Sequence, residues 1–146
     1  MAAVAEPAAF QLHRGEAPLL LSLPHDGTAI PAGLARRMTP AALRVPDTDW
    51  HVARLYAFAQ ELGVSVIVPH WSRYVVDLNR AADGGALYPG RRETGLVPLQ
   101  SFADEPLYEP DVAPDAAEMA ARIAQFCQPY PDALAGELER LRAVHG

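Results

Sequence analysis

Between Ser72 and Arg80 the chain reads Ser-Arg-Tyr-Val-Val-Asp-Leu-Asn-Arg. Two arginines bracket a carboxylate, and an amide stands beside the second of them. A planar guanidinium fork next to an amide holds a carboxylate bidentately, so Asn79 and Arg80 are candidates for gripping an acidic ligand. Asp77 is spaced to orient one of the guanidiniums. The same residues suit a structural Arg–Asp pair tying a strand end to a loop, and by residue chemistry alone the two readings stand level. His25 lies in Pro24-His25-Asp26-Gly27-Thr28, a turn in which glycine lets backbone approach a ligand. A neutral imidazole there can bind a metal, or simply hydrogen-bond the turn backbone. Asp47 and Asp49 form the third candidate group. Asp47 stands where a helix N-cap belongs, and Asp49, two residues on, can point towards a metal instead. One histidine and one carboxylate do not specify such a site, because a catalytic zinc takes three protein ligands and a water.

The remaining candidates are weaker. His13, His51, His70 and His145 read as surface or packing residues. Cys127 shares an apolar helical face with Ile123 and Phe126 and reads as core, not as a nucleophile. Leu87-Tyr88-Pro89-Gly90 and Thr94-Gly95-Leu96-Val97-Pro98 offer a hydroxyl and exposed amides for a lid, or an ordinary surface loop. No G-x-S-x-G, P-loop, dinucleotide fingerprint or H-E-x-x-H occurs, so serine hydrolysis and nucleotide chemistry lose ground.

These residues need elements to position them. Residues 10–12 suggest a short edge strand. Residues 18–23 form a short apolar run stopped by Pro24, as a buried strand would be. A helix is predicted over Thr48 to Leu62, capped by Asp47 and closed by Gly63. Val52, Leu55, Tyr56, Ala59 and Leu62 would form its apolar, core-facing side. Residues 64–68 are β-branched and short, a second strand, and Tyr74 to Leu78 is a third. Strand, helix, strand with tight joins predicts a βαβ unit in a mainly parallel sheet, whose ligand sites gather at the carboxyl ends of strands. Residues 81 to about 113 lack periodicity. A helix is expected from Pro114 to about Gln128, and Pro129-Tyr130-Pro131 should interrupt it. A last helix starts near Asp132, with Leu134, Leu138 and Leu141 on one side.

Composition sets the outer limits. The chain has 146 residues, half of them apolar, the size and make-up of one globular domain. Its net charge is −6, which disfavours nucleic acid and anionic membranes as partners. All 12 basic residues are arginine, a bias that belongs mostly to the genome rather than to function. The single cysteine rules out an intrachain disulfide framework. Met1 to Pro7 lacks the basic and apolar regions of a signal peptide, and no apolar run is long enough to span a bilayer. A cytoplasmic location is therefore expected.

Taken in order, Ser22-Leu23-Pro24-His25-Asp26-Gly27-Thr28, Pro46-Asp47-Thr48-Asp49-Trp50, Ser72 to Arg80, Leu87-Tyr88-Pro89-Gly90 and Thr94-Gly95-Leu96 resemble the N-formylglutamate amidohydrolase (N-formylglutamate deformylase) family of histidine breakdown. The resemblance runs from about Pro18 to the C-terminus. It implies an α/β fold with a mainly parallel or mixed sheet flanked by helices, phosphorylase/hydrolase-like and akin to zinc carboxypeptidases and aspartoacylases. It also implies a zinc-dependent amidohydrolase that converts N-formyl-L-glutamate and water to formate and L-glutamate. By that resemblance His25 is a metal histidine, and Asp49 the metal carboxylate with Asp47 its rival. Asn79 and Arg80 hold the substrate carboxylate, with Arg73 assisting at the second carboxylate or the amide oxygen. The partner implied is a small N-acyl amino acid.

The sequence departs from the family in two places. The family's later Asp-x-His-Ser stretch, with its further metal histidine, has no counterpart here, and the general base is expected beyond Gly146. On this resemblance the 146 residues are the N-terminal part of a larger hydrolase domain, able to bind zinc only weakly. Pro131 stands where the family helix often continues through a histidine. The competing reading is a non-enzymatic module in which Arg73, Asn79 and Arg80 hold a small acidic ligand without metal. A partial parallel sheet would also leave an unpaired edge and an uncovered face.

Overall fold

The computed structural model describes residues 7–81 and 95–146. Its sheet has three strands, β1 (Phe10–His13), β2 (Leu20–Ser22) and β3 (Ser65–Pro69), in the order β1-β3-β2. The most β-branched segment takes the central place, as a strand buried on both faces requires. β2 runs parallel to β3, with Leu21 opposite Val66, and β1 runs antiparallel, with Leu12 opposite Ile67. The sheet is therefore mixed, and the expected parallel β2–β3 crossover is present.

Between β2 and β3 lie four one-turn helices: α1 (Ala32–Ala35), α2 (Pro40–Leu43), α3 (Val52–Leu55) and α4 (Phe58–Glu61). α2 starts on the Thr39 side chain, which accepts the Ala42 N–H at 3.2 Å. The single helix expected over 48–62 is thus shorter and broken at Tyr56–Ala57. Asp47 does not cap it; the residue before α3 is His51, in the left-handed region at φ 63°. Gly63, at φ 76°, does end α4 as expected. α3–α4 packs on the sheet face shared by β2 and β3. At one end the Ala53 N–H donates to Asp26 Oδ1 at 2.9 Å, and at the other the Ala17 N–H donates to the Gly63 carbonyl at 2.9 Å.

The helix buries only a narrow face. Ala59, with Val52 and Ala53 beside it, packs on Leu21, Leu23, Val64, Val66 and Val68. Leu55, Tyr56 and Leu62, expected to face the core, are exposed. The break at Tyr56–Ala57 turns the small residues, not the large ones, onto the sheet.

On the opposite face run α5 (Ala116–Arg122), a π turn (Ile123–Cys127) and α6 (Pro129–His145). Asp115 caps α5 by accepting the Glu118 N–H at 2.8 Å. Pro129 and Pro131 do not interrupt this helix. A proline lacks the N–H and crowds the carbonyl four residues back. Here the wider π turn precedes them, with the Gln128 N–H bonding five residues back to Ile123 at 3.3 Å, and Pro129 opens α6. Of the predicted last-helix face, Leu141 is buried and Leu138 exposed. Glu137 is buried instead, bonded to Ser65 Oγ at 2.6 Å and to Arg140.

The expected third strand is absent from the sheet. Residues 72–77 are buried, but they form turns: the Val75 N–H donates to the Ser72 carbonyl at 2.9 Å and the Tyr74 N–H to Ser72 Oγ at 3.2 Å. Apolar β-branched residues report burial, which strand pairing shares with any core segment. Tyr74 and Val75 enter a core with Leu34, Met38, Ala42, Val45, Leu107 and Tyr108.

Candidate functional site

β2 ends at Ser22, and the turn that follows delivers His25 to the carboxyl end of the parallel pair. Gly27 lets this turn press on the exit of β3, since a Cβ there would lie 2.2 Å from the Trp71 carbonyl oxygen. The turn is then stitched to the 49–53 segment. The His25 carbonyl accepts the Asp49 N–H at 3.0 Å, next to the Asp26–Ala53 bond. The segment carrying Asp47 and Asp49 is entered through Val45 at φ 43° and left through His51 at φ 63°. Left-handed backbone is costly for a β-branched residue and marks places where the surroundings over-determine the chain.

His25 stands between two carboxylates. Its Nε2 lies 2.7 Å from Asp77 Oδ1, and its Nδ1 lies 3.6 Å from Asp49 Oδ2. Asp77 is fully buried and also accepts Arg73 Nη2 at 2.8 Å and the Asn79 N–H at 3.0 Å. Burial pushes the Asp77 carboxyl up. The His25 hydrogen bond and the charges of His25 and Arg73 outweigh it and hold the group below its ordinary range. An ionised Asp77 accepts a hydrogen bond from Nε2–H, and whenever the ring is neutral this leaves Nδ1 as its lone-pair nitrogen. In that form the Nδ1 lone pair lies 3.6 Å from Asp49 Oδ2, a gap too long for a hydrogen bond. Two lone-pair donors facing each other repel unless a cation lies between them.

A metal fits that gap as far as two ligands go. Two bonds of about 2.0–2.1 Å at a near-tetrahedral angle would separate N and O by about 3.3 Å, close to the separation found. Imidazole nitrogen and carboxylate oxygen are both zinc donors. His25 is largely buried, whereas the Asp49 side chain is 55% exposed, so this corner opens to solvent. Among the described residues no group of three or more His, Cys, Asp or Glu gathers to hold a metal.

Asp47 is engaged elsewhere. Its carboxylate accepts the Tyr74 hydroxyl at 2.6 Å and the Phe102 N–H at 2.9 Å. Burial and this bond push the Tyr74 hydroxyl well above its usual pKa. Arg73 is almost fully enclosed. Besides Asp77 it donates to the Asp47 carbonyl at 3.4 Å, and the Phe102 ring covers it with 4.9 Å from guanidinium carbon to ring centroid. Asn79 is exposed and Arg80 half-buried, both in the turn that leaves Asp77, whose carbonyl accepts the Arg80 N–H at 3.2 Å. The Asp77 N–H donates to the Leu96 carbonyl at 2.8 Å. Leu87-Tyr88-Pro89-Gly90 and Thr94 lie outside the described residues. Cys127 is buried, as expected of core.

The structure therefore brings His25, Asp49, Asp77 and Arg73 together and sets Asn79 and Arg80 in the adjoining turn. Tyr74 stands in the Ser72–Arg80 segment but reads there only as part of a strand, and Phe102 has no signal in the sequence. Phe102 is 22 or more residues from every other member, in a stretch with no periodicity.

Fold and site together define an α/β protein with a mixed sheet, carrying a carboxylate-buttressed histidine opposite a second carboxylate. Residues 17–146 match the family model described as N-formylglutamate amidohydrolase, and the chain belongs to that family. It is 45% identical over 133 residues to an N-formylglutamate deformylase of Pseudomonas aeruginosa and 42% identical over 134 residues to one of Pseudomonas putida. The matches cover 91% and 92% of this chain but 50% of each relative, so the chain spans about half the length of these curated relatives. It also resembles the crystal structure of N-formylglutamate amidohydrolase from Ralstonia eutropha JMP134, with a TM-score of 0.76 and 29% identity. That match covers 96% of this chain and 54% of the other. A gene product of Agrobacterium tumefaciens shares the fold at a TM-score of 0.64 and 20% identity, over 95% of this chain and 53% of that one.

Proposed function

We propose that this chain carries part of the metal- and substrate-binding machinery of an enzyme hydrolysing N-formyl-L-glutamate to formate and L-glutamate. The observation that carries the reading is His25, held by buried Asp77 through Nε2 while Nδ1 faces Asp49. His25 and Asp49 would hold a zinc ion. Bound zinc supplies an activated water and a polarised formyl carbonyl. Asp77 fixes the tautomer and direction of His25 and strengthens it as a donor. Arg73 keeps Asp77 ionised and adds positive charge behind the site, against the developing oxyanion of the amide or the second substrate carboxylate. Asn79 and Arg80 grip the substrate's carboxylate, a planar anion that suits a guanidinium fork. The kinship to zinc carboxypeptidases, a cytoplasmic location and a role in histidine breakdown belong to the same proposal. Among the described residues no helix is long and apolar enough to cross a membrane.

Titration calorimetry tests this reading, first with zinc and then with N-formyl-L-glutamate. Zinc heat should vanish in His25→Ala, and the substrate's heat should shrink in Arg80→Ala with zinc binding kept. Substrate binding that needs no zinc and survives His25→Ala would refute the hydrolase reading in favour of a metal-independent binding module.

A further inference from the structure

Residues 99–107 form a tight loop that is neither helix nor strand, and it is built from both ends. At its root the Leu107 N–H donates to the Leu99 carbonyl at 3.0 Å, and Gln100 and Pro106 pair in an antiparallel bridge. Thr39 ties the root down: its N–H donates to the Leu107 carbonyl and its hydroxyl to the Pro106 carbonyl, each at 3.0 Å. Leu107 and Tyr108 then enter the core. At the tip Ser101 is buried. Its Oγ accepts the Ala103 and Glu105 N–H groups at 3.2 Å each, and its own N–H donates to the Glu105 carbonyl at 2.9 Å. A serine that bonds its own turn in this way fixes the residues beside it. The residue so presented is Phe102, which remains 45% exposed. Its N–H donates to Asp47 Oδ2 at 2.9 Å, and its ring lies 4.9 Å from the Arg73 guanidinium carbon. Asp47 closes the circuit, because its carbonyl accepts Arg73 Nη1 at 3.4 Å. Arg73 Nη2 bonds Asp77 Oδ2, and Asp77 Oδ1 bonds His25 Nε2. Contacts thus run unbroken from Phe102 to His25.

We propose that Phe102 is a positioning residue for His25. Held by Asp47, its ring keeps Arg73 dry and in one orientation, and Arg73 in turn holds Asp77 and His25 in place for the metal. Water at the guanidinium would compete for Asp77 and screen the ion pair, whereas an aromatic face excludes water and attracts the cation. The same circuit gives Asp47 a task distinct from that of Asp49. Its carboxylate seats the loop tip and does not face His25. The consequence for zinc rests on the proposed function; the hold of Phe102 on Arg73 does not.

Nuclear magnetic resonance of the whole zinc-free chain, labelled with nitrogen-15 in arginine and histidine, tests the hold directly. The Arg73 guanidinium signal, identified by its loss in Arg73→Lys, should lie upfield under the ring and exchange slowly with water. The His25 Nε2 proton shared with Asp77 should be visible. Phe102→Ala should remove the upfield shift, speed guanidinium exchange by about tenfold or more, and broaden the His25 proton. Phe102→Tyr should keep all three. Asp47→Ala should act like Phe102→Ala although the ring is still in the chain, and Tyr74→Phe, which removes the other donor to Asp47, should not. Circular dichroism checks that each variant folds. Calorimetry with zinc should show affinity reduced by roughly threefold to tenfold in Phe102→Ala and restored in Phe102→Tyr, a smaller effect than loss of Asp77 itself. The proposal is overturned if the Arg73 and His25 signals are the same in Phe102→Ala as in the parent. It is equally overturned if they change while zinc affinity does not, since Phe102 would then only fill space. A parent chain that binds no zinc while its signals respond as expected would count against the proposed function and support the hold of Phe102 on Arg73 and His25.

Discussion

Replacing Asp77 by Asn changes almost no volume and removes one buried charge. The carboxylate accepts three donors, His25 Nε2 at 2.7 Å, Arg73 Nη2 at 2.8 Å and the Asn79 N–H at 3.0 Å. An amide offers one acceptor oxygen and turns an NH2 group towards a donor. The side chain has no solvent access and Arg73 is 7% exposed, so water cannot replace what is lost. Hydrogen bonds to charged groups are worth about 1.5–3 kcal/mol each, and removing one partner of a buried ion pair costs about 3–5 kcal/mol. Because packing is kept, we expect a loss of about 3–5 kcal/mol, a large share of the roughly 5–15 kcal/mol that holds a domain folded. Urea unfolding followed by tryptophan fluorescence reads it. With a slope of about 1–3 kcal/mol per M, the midpoint should fall by roughly 1–5 M. Zinc affinity should fall by about 10–100-fold as His25 loses its anchor. An Asp77→Asn chain that unfolds within about 0.3 M of the parent and binds zinc equally would refute the reasoning.

Three further outcomes follow from the same structure. Gly27→Ala should destabilise by about 1–3 kcal/mol, because the added Cβ would meet the Trp71 carbonyl at 2.2 Å; an unchanged melting temperature would contradict this close approach. The Arg140 hydrogen bond holds the Glu137 carboxyl below its ordinary 4.5, against the opposing effect of burial and with help from Ser65. Its stabilisation is therefore complete above pH 4.5 and is lost as pH falls through the lower folded value, and Glu137→Gln should flatten that acid limb in denaturation curves. Cys127 is buried, and burial, followed by the nearby Asp77 charge, raises its thiol pKa. Ellman's reagent should react only as the chain unfolds, and fast labelling of the native chain would place the thiol at the surface.

Much of the scaffold was legible because it is written locally. β1, β2 and β3 are short apolar or β-branched runs bounded by Pro or Gly, and Gly63 announces a helix end by its need for positive φ. The segments that carry His25, Asp49 and Asp77 stand out in the sequence, whereas the pairing of Asp77 with His25 does not. Apolar periodicity misled wherever burial came without pairing. Tyr74 to Leu78 is core but not strand. The face of 52–62 was expected against the sheet, and its large side chains lie outside it. Pro129 and Pro131 suggested a break because sequence spacing carries no sign of a π turn that accommodates them.

The sequence by itself determined which residue types were on hand: an imidazole after a strand, carboxylates on a turn, and arginines fixed in charge at any physiological pH. Tertiary structure alone decided which of them meet. Asp77 lies 52 residues from His25 and Asp47 lies 55 from Phe102, yet each pair shares a hydrogen bond. Nothing local distinguishes Asp47 from Asp49. The fold gives one to Tyr74 and Phe102 and turns the other towards His25, because a carboxylate's role depends on which donors surround it once the chain has closed.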